Sequence, residues 1–250
     1  MYRVSPIVKQ LLIINIIFFV GSTLSFNSDF IYSLFGLYFP ENPQFKFWQI
    51  ITHMFMHGNI QHILFNMFAL WMFGSSVESI FGAKKFLFFY ITCGLGAAFI
   101  QILFLYYVFY SNLDLLVSSG YDQSSILNIL AEGKYNSSWE GILGPKGLLD
   151  FNSPFFSSLV GASGAIMGVL VAFGMFFPDS KLMLIFLPVP IKAKYFIPGI
   201  ILLDLFSAIT GQAIFSPSNT AYVAHIGGAL TGFLIMYYWK KNQFTKNRWY

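Results

Sequence analysis

SSLVGASGAIMGVLVAFGMFF, residues 157–177, is an apolar run of membrane-spanning length with one interior hydroxyl, Ser163, set among glycines and alanines. A helix needs about 20 apolar residues to cross a bilayer. Lipid leaves open backbone groups unsatisfied, so such a run reads as a transmembrane helix. Five more runs of this kind lie at roughly 8–26, 59–81, 85–110, 195–214 and 220–239. The 250 residues are 56% hydrophobic and 10% charged, with a mean hydropathy of +0.66. Soluble domains run near a quarter charged. The expected fold is therefore an all-α polytopic membrane protein, one bundle of six transmembrane helices over 1–250 with its core at about 8–240.

Basic residues give the orientation. Arg3 and Lys9 precede the first run, and Lys84 and Lys85 separate the second from the third. Lys181, Lys192 and Lys194 lie between the fourth and fifth, and Lys240, Lys241, Lys246 and Arg248 follow the sixth. The positive-inside rule makes that side cytoplasmic, with both termini on it. Only Lys46, Lys134 and Lys146 fall opposite. The first run could pass for a signal peptide, but no small-x-small cleavage pattern follows before Phe26 and five runs come after, so it reads as a retained span. Two outer segments remain. Residues 27–58 are aromatic and read as a membrane-associated loop at the interface. Residues 111–156 are polar and read as a loop insertion, either an accessory cap or a mobile stretch. The +4 charge forms no clustered basic face, which argues against nucleic acid as a partner. The single Cys93 excludes an intramolecular disulfide and a cysteine metal cluster.

Depth places the polar residues together. Ser163 stands fifteen residues before Pro178, and His225 fifteen before Lys240, which puts both about 22 Å above the cytoplasmic boundary. Asn66 comes to about 27 Å by the same rise, with His62 one turn higher on the same helix face. A serine inside a membrane helix usually bonds back to a carbonyl, and a small-residue face usually serves packing. That explains Gly161 and Gly164, and Gly228 and Gly232 beside His225, as helix-packing glycines. It does not explain a histidine at the serine's level, because ionisable groups in membranes are costly and mark sites. Ser163 and His225 are the parts of a nucleophile and its base. His62 and Asn66 could donate to an oxyanion together with backbone N–H groups. His53, His57 and His62 lack supporting carboxylates and cysteines, so no metal site is expected. Asp204, in the fifth run, counts to about 15 Å. That is below Ser163 and His225, so of two readings, a triad acid orienting His225 and a structural acid, the structural one is preferred. Glu78 reads as a packing or interfacial charge.

These residues resemble the rhomboid intramembrane serine proteases. The resemblance rests on Gly-x-Ser-Gly at 161–164, Ala-His-x-x-Gly-x-x-x-Gly at 224–232, and His-x-x-x-Asn at 62–66. His57 and the run HILFNMFALWMFG add to it, and it covers roughly 45–240. It implies a six-helix rhomboid-like bundle and a serine endopeptidase acting on transmembrane protein substrates within the bilayer, with no cofactor. It implies a Ser-His dyad without a third acid, Ser163 as nucleophile and His225 as base, with His62, Asn66 and the backbone at Ser163 and Gly161 as the oxyanion site. Two positions depart. Gln49 follows Trp48 where the family has a Trp-Arg motif. Met167 stands where some relatives stack a tyrosine on the histidine, so either another group orients His225 or the methionine packs against it. A bacterial inner membrane is the expected location.

Overall fold

The computed structural model describes residues 4–184, 187–212 and 221–246. Arg3 and Arg248, used in the charge count, and the stretch 213–220 between the last two apolar runs lie outside them. The chain forms α1 (Pro6–Leu24), α2 (Ser28–Phe35) and α3 (Gln49–Thr52), then a 3₁₀ turn at His53–Phe55. Next come α4 (Ile60–Ala69), a π-helical turn at Leu70–Gly74, α5 (Ser75–Phe81) and α6 (Ala83–Ser118). The order closes with α7 (Gln123–Ala131), α8 (Glu140–Phe156), α9 (Ser163–Phe176), a hairpin of β1 (Lys181–Leu184) and β2 (Leu187–Lys192), α10 (Ala193–Thr210) and α11 (Tyr222–Lys246).

Among the described residues, four helical stretches are long and apolar enough to cross a membrane: Pro6–Leu24, Ile60–Phe81, Ala83–Ser118 and Ala193–Thr210. α9 is apolar but only 14 residues long, because it starts at Ser163 rather than near 157. It is the centre of the bundle. Every residue from Gly164 to Phe173 is buried, as expected of a helix that is hydrophobic all round. α6, α10 and α11 pack about it. α10 sits at the edge, burying only the stripe Ala193, Ile197, Asp204 and Ser207. Leu202, Leu205, Phe206 and Ile209 face outward from it, as do Ile13, Ile16 and Ile17 from α1. Contiguous apolar surface of this kind suits lipid.

Three expectations are corrected. The protein is not purely helical, since the basic segment before α10 forms an antiparallel hairpin with Lys181 opposite Lys192. The 111–156 segment is not a polar loop. α6 runs on to Ser118, and α7 and α8 fold back on it around Phe109, Leu113, Leu116, Ile126, Leu130, Trp139 and Phe151. Those apolar residues are spaced among polar ones, so composition hid the helices. Glu78 is more specific than a packing charge. Its carboxylate accepts the Ile7 and Val8 N–H groups, each at 2.9 Å, and the Ser5 hydroxyl. It thereby satisfies the orphan donors at the start of α1.

Candidate active site

Residues 157–162, extended or turn-like, carry the chain into α9 and set Ser163 in place. Leu159 and Leu37 exchange backbone hydrogen bonds of 2.8 and 2.9 Å, and the Gly161 N–H donates to the His53 carbonyl at 2.9 Å. Gly161 has φ +127°, a conformation essentially restricted to glycine. A Cβ there would also stand 2.8 Å from His62 Nε2. Gly161 is thus required for shape. Its N–H is already engaged, which corrects its expected place as an oxyanion donor.

Ser163 is the first residue of α9, and the first hydrogen bond across this turn runs from Ile166 N–H to Ala162 carbonyl at 3.0 Å. The N–H groups of Ser163, Gly164 and Ala165 therefore emerge at the helix N-terminus, where partial positive charge favours an anion. The segment before α9 holds the serine at this end, and α11 approaches it from the side. A Cβ at Gly228 would lie 1.9 Å from the Gly164 carbonyl oxygen, and one at Gly232 would lie 2.6 Å from Gly168 Cα. The two backbones touch, as small-residue faces allow. The position of a Cβ on Gly164 is 3.6 Å from the carbonyl oxygen of Ala224, the residue before His225. Ser163 and His225 thus flank one seam, each only partly buried. Among the described residues no hydrogen bond joins the Ser163 hydroxyl to the His225 ring. Such bonds are often long in an empty site and tighten around substrate.

His62 approaches from α4. The Asn59 side chain caps that helix by accepting the His62 N–H at 2.8 Å. The Gly58 N–H points to His62 Nδ1 at 3.4 Å, which assigns the ring proton to Nε2, on the side of Gly161. The His57 ring packs edge-on against it at 5.0 Å. Asn66 lies one turn along and is buried. Burial pushes His53 down to about 4 and His57 down to about 3, so both stay neutral near pH 7 and serve as fixed framework. Gln49 is also framework. Fully buried, its side chain donates to the Ser33 and Gln44 carbonyls at 2.9 and 3.0 Å and accepts from the Tyr38 and Lys46 N–H groups at 3.3 and 3.0 Å.

The sequence reading set one partner aside. Asp204 Oδ2 lies 2.8 Å from His225 Nδ1. Depth counting set it too low because α10 starts at Ala193 and α9 ends at Phe176. Their ends are tied by Ala193 N–H to Ser180 carbonyl at 2.9 Å and Lys194 N–H to Pro178 carbonyl at 3.0 Å. On these bounds Asp204 rises about 16 Å and Ser163 about 20 Å, a gap that side chains bridge. The useful signal was in the other direction. Asp204 stands six residues before the end of α10, and His225 three after the start of α11.

A family model described as the Rhomboid domain matches residues 44–242. The chain belongs to the rhomboid family. With its apolar helices, this rhomboid is a multi-pass integral membrane protein. It is 28% identical over 214 residues to the human presenilin-associated rhomboid-like protein, mitochondrial, covering 82% of this chain and 43% of that protein. It is 27% identical over 192 residues to rhomboid protein 1, mitochondrial, of Saccharomyces cerevisiae, covering 77% and 42%. To the rhomboid protease AarA of Providencia stuartii it is 29% identical over 197 residues, covering 75% and 54%. The chain spans about half the length of these curated relatives. The family thus includes a protein named as a protease.

Proposed function

We propose that this rhomboid is a serine endopeptidase that hydrolyses peptide bonds in or near the transmembrane segments of membrane proteins. The observation that carries the reading is the seam itself. Gly164 and Gly228 bring α9 and α11 into backbone contact with a serine and a histidine on its two sides. In this mechanism Ser163 Oγ attacks the carbonyl carbon and His225 Nε2 takes its proton. The carbonyl oxygen becomes an oxyanion facing the Ser163 N–H, His62 Nε2–H and the Asn66 amide. The imidazolium then protonates the leaving amine, and water repeats the cycle on the acyl-enzyme. Each oxyanion donor is worth about 2.7–4 kcal/mol in such transition states. A helical substrate hides its carbonyls, so substrates should carry small or helix-weakening residues at the cut.

Six membrane passes with both termini cytoplasmic, one domain from 1 to 250, and lipid and membrane-protein helices as partners belong to the same proposal. The relatives named as mitochondrial give no support to the expected bacterial inner membrane. The test is cleavage of a reporter transmembrane substrate in reconstituted vesicles. Ser163→Ala and His225→Ala should each reduce it to background, and a fluorophosphonate should label Ser163. Cleavage that survives Ser163→Ala ends the assignment.

A further inference from the structure

We infer that Asp204 is the third member of the catalytic group, a positioning residue that fixes the tautomer and aim of His225. The inference rests on the reading of Ser163 and His225 given above.

The geometry supplies the argument. Asp204 is a carboxyl group 2% exposed on a helix otherwise turned to lipid, and its Oδ2 is 2.8 Å from His225 Nδ1. α10 buries one narrow stripe, and two of the four residues on it, Asp204 and Ser207, are polar. Ser207 is one turn beyond Asp204 and faces Tyr222, the first residue of α11. A helix that needed only to pack would bury apolar or small residues there, because a buried carboxylate is costly unless paired. The pairing is with Nδ1, which leaves Nε2 as the ring's other nitrogen. A carboxylate on Nδ1 holds the proton on that atom and leaves the Nε2 lone pair free for the Ser163 hydroxyl.

Met167 sharpens the point. It lies one turn after Ser163 in the core of α9, where it has no ring to stack on an imidazole and no polar hydrogen to donate to one. Asp204, 2.8 Å from Nδ1, is placed to orient His225. In the acylation step the Ser163 proton moves to His225 Nε2 as the Oγ–C bond forms and the carbonyl electron pair moves to oxygen. The Nδ1 proton stays on the ring throughout. Asp204 receives no proton. It faces the cationic ring until Nε2 releases its proton to the leaving amine as the C–N bond breaks.

The experiment compares wild type with Asp204→Asn, Asp204→Glu and Asp204→Ala in vesicles. It reads kcat and KM on a reporter substrate, the rate of Ser163 labelling by a fluorophosphonate, and melting. Asp204→Asn keeps the size of the side chain and removes its charge. The expected result is a fall in kcat of about 10²- to 10⁴-fold. KM should stay within about twofold, labelling should slow in parallel, melting should be little changed, and Asp204→Glu should recover part of the rate. A merely structural role predicts loss of melting temperature without that kinetic split. Asp204→Asn with wild-type kcat and labelling overturns the inference. Nitrogen-15 histidine NMR provides a readout independent of turnover. His225 should carry its proton on Nδ1 in wild type and shift toward Nε2–H in Asp204→Asn. A wild-type His225 protonated on Nε2 overturns the inference even if the variants fail to fold. A wild type that neither cleaves nor labels defeats the protease reading, and the NMR result still decides the orienting role.

Discussion

Where α9 crosses α11 the packing is backbone on backbone, whereas in the cap formed by the end of α6 with α7 and α8 it is ring on ring. At the seam a carbon added to Gly228 or Gly232 would stand 1.9 or 2.6 Å from the backbone of Gly164 or Gly168, while Gly164 and Gly168 themselves lie against Ala97 and Cys93 of α6. In the cap Phe109 stacks on Phe151 with centroids 4.9 Å apart, and Trp139 meets Phe151 edge-on at 5.8 Å. The two styles follow from solvent. Within lipid there is no hydrophobic force between helices, so close van der Waals approach and hydrogen bonds do the holding. The cap exposes Asp122, Gln123, Ser124, Ser125, Glu132 and Lys134 alongside apolar Leu115 and Leu149, and large buried rings stabilise it as they do a water-soluble core. The seam sets geometry and the cap supplies stability. Damage to each should therefore differ in kind.

The largest effect is expected at the seam. Gly228→Val puts side-chain carbons where the Gly164 carbonyl lies, 1.9 Å from a Cβ. The helices must part, at a cost of about 3 kcal/mol or more. Ser163 and His225 part with them, and reporter cleavage should drop to the Ser163→Ala background. Wild-type cleavage by Gly228→Val would show that the seam does not set the site.

Phe151→Ala attacks the cap by removing a ring that is 0% exposed. A buried phenylalanine truncated to alanine costs about 3–5 kcal/mol. Hydrogen exchange should speed up in α7 and α8, while cleavage by the vesicle-bound enzyme stays within a few-fold of wild type. A loss of activity equal to that of Gly228→Val would erase the distinction between the two regions.

Acid should act in the opposite sense, weakening the site half and sparing the cap. All four histidines, His53, His57, His62 and His225, lie outside the cap. His53 is held down to about 4 and His57 to about 3 by burial. The unfolded chain therefore binds protons first, near pH 6.5, and the folded chain only at those lower values. Stability is complete above about pH 6.5 and declines as pH falls toward 4, by a few kcal/mol on the order set by linkage. Melting followed from pH 7.5 to 4.5 should show this, with a shallower decline in His53→Gln. A flat profile would mean that these rings are not buried as neutral groups.

Much of this was legible in the sequence, and the parts that were not share a cause. Membrane helices announce themselves because about 20 apolar residues are required whatever the fold. Gly164, Gly228 and Gly232 marked the seam because close approach demands them. Asp204 was misjudged because its level was counted over two helices whose ends were set a few residues off. A single turn decides whether an acid reaches a histidine. The cap was read as a loop because its apolar residues are diluted by Ser, Asn and Gly. Helices that pack only against one another leave a weaker pattern than helices that face lipid. Gln49 looked like a departure from a motif, and its four hydrogen bonds could be seen only once the loop around it was folded.

Gln49→Ala tests that loop and should fall below the acid effect in size. It strips two carbonyls and two N–H groups of their partner in a side chain that is 0% exposed. With about 1 kcal/mol net per bond and water replacing some of them, the loss should be about 2–3 kcal/mol. Melting and protease sensitivity of residues 27–58 would record it. A neutral result would show that the four Gln49 bonds do not hold this loop in place.

At the bottom of the scale stands the Lys146–Asp150 pair on α8. Its separation is 2.6 Å, the shortest of the ion pairs among the described residues, but the two side chains are 70% and 38% exposed. Water screens such a pair, and holding two long side chains in one geometry costs entropy. Spacing of i to i+4 adds only about 0.3–0.5 kcal/mol. Lys146→Ala should leave melting within about 0.5 kcal/mol of wild type and leave cleavage unchanged. A larger loss would mean that the cap draws part of its stability from surface charge, and the contrast with the seam would then no longer be one of buried rings against touching backbones.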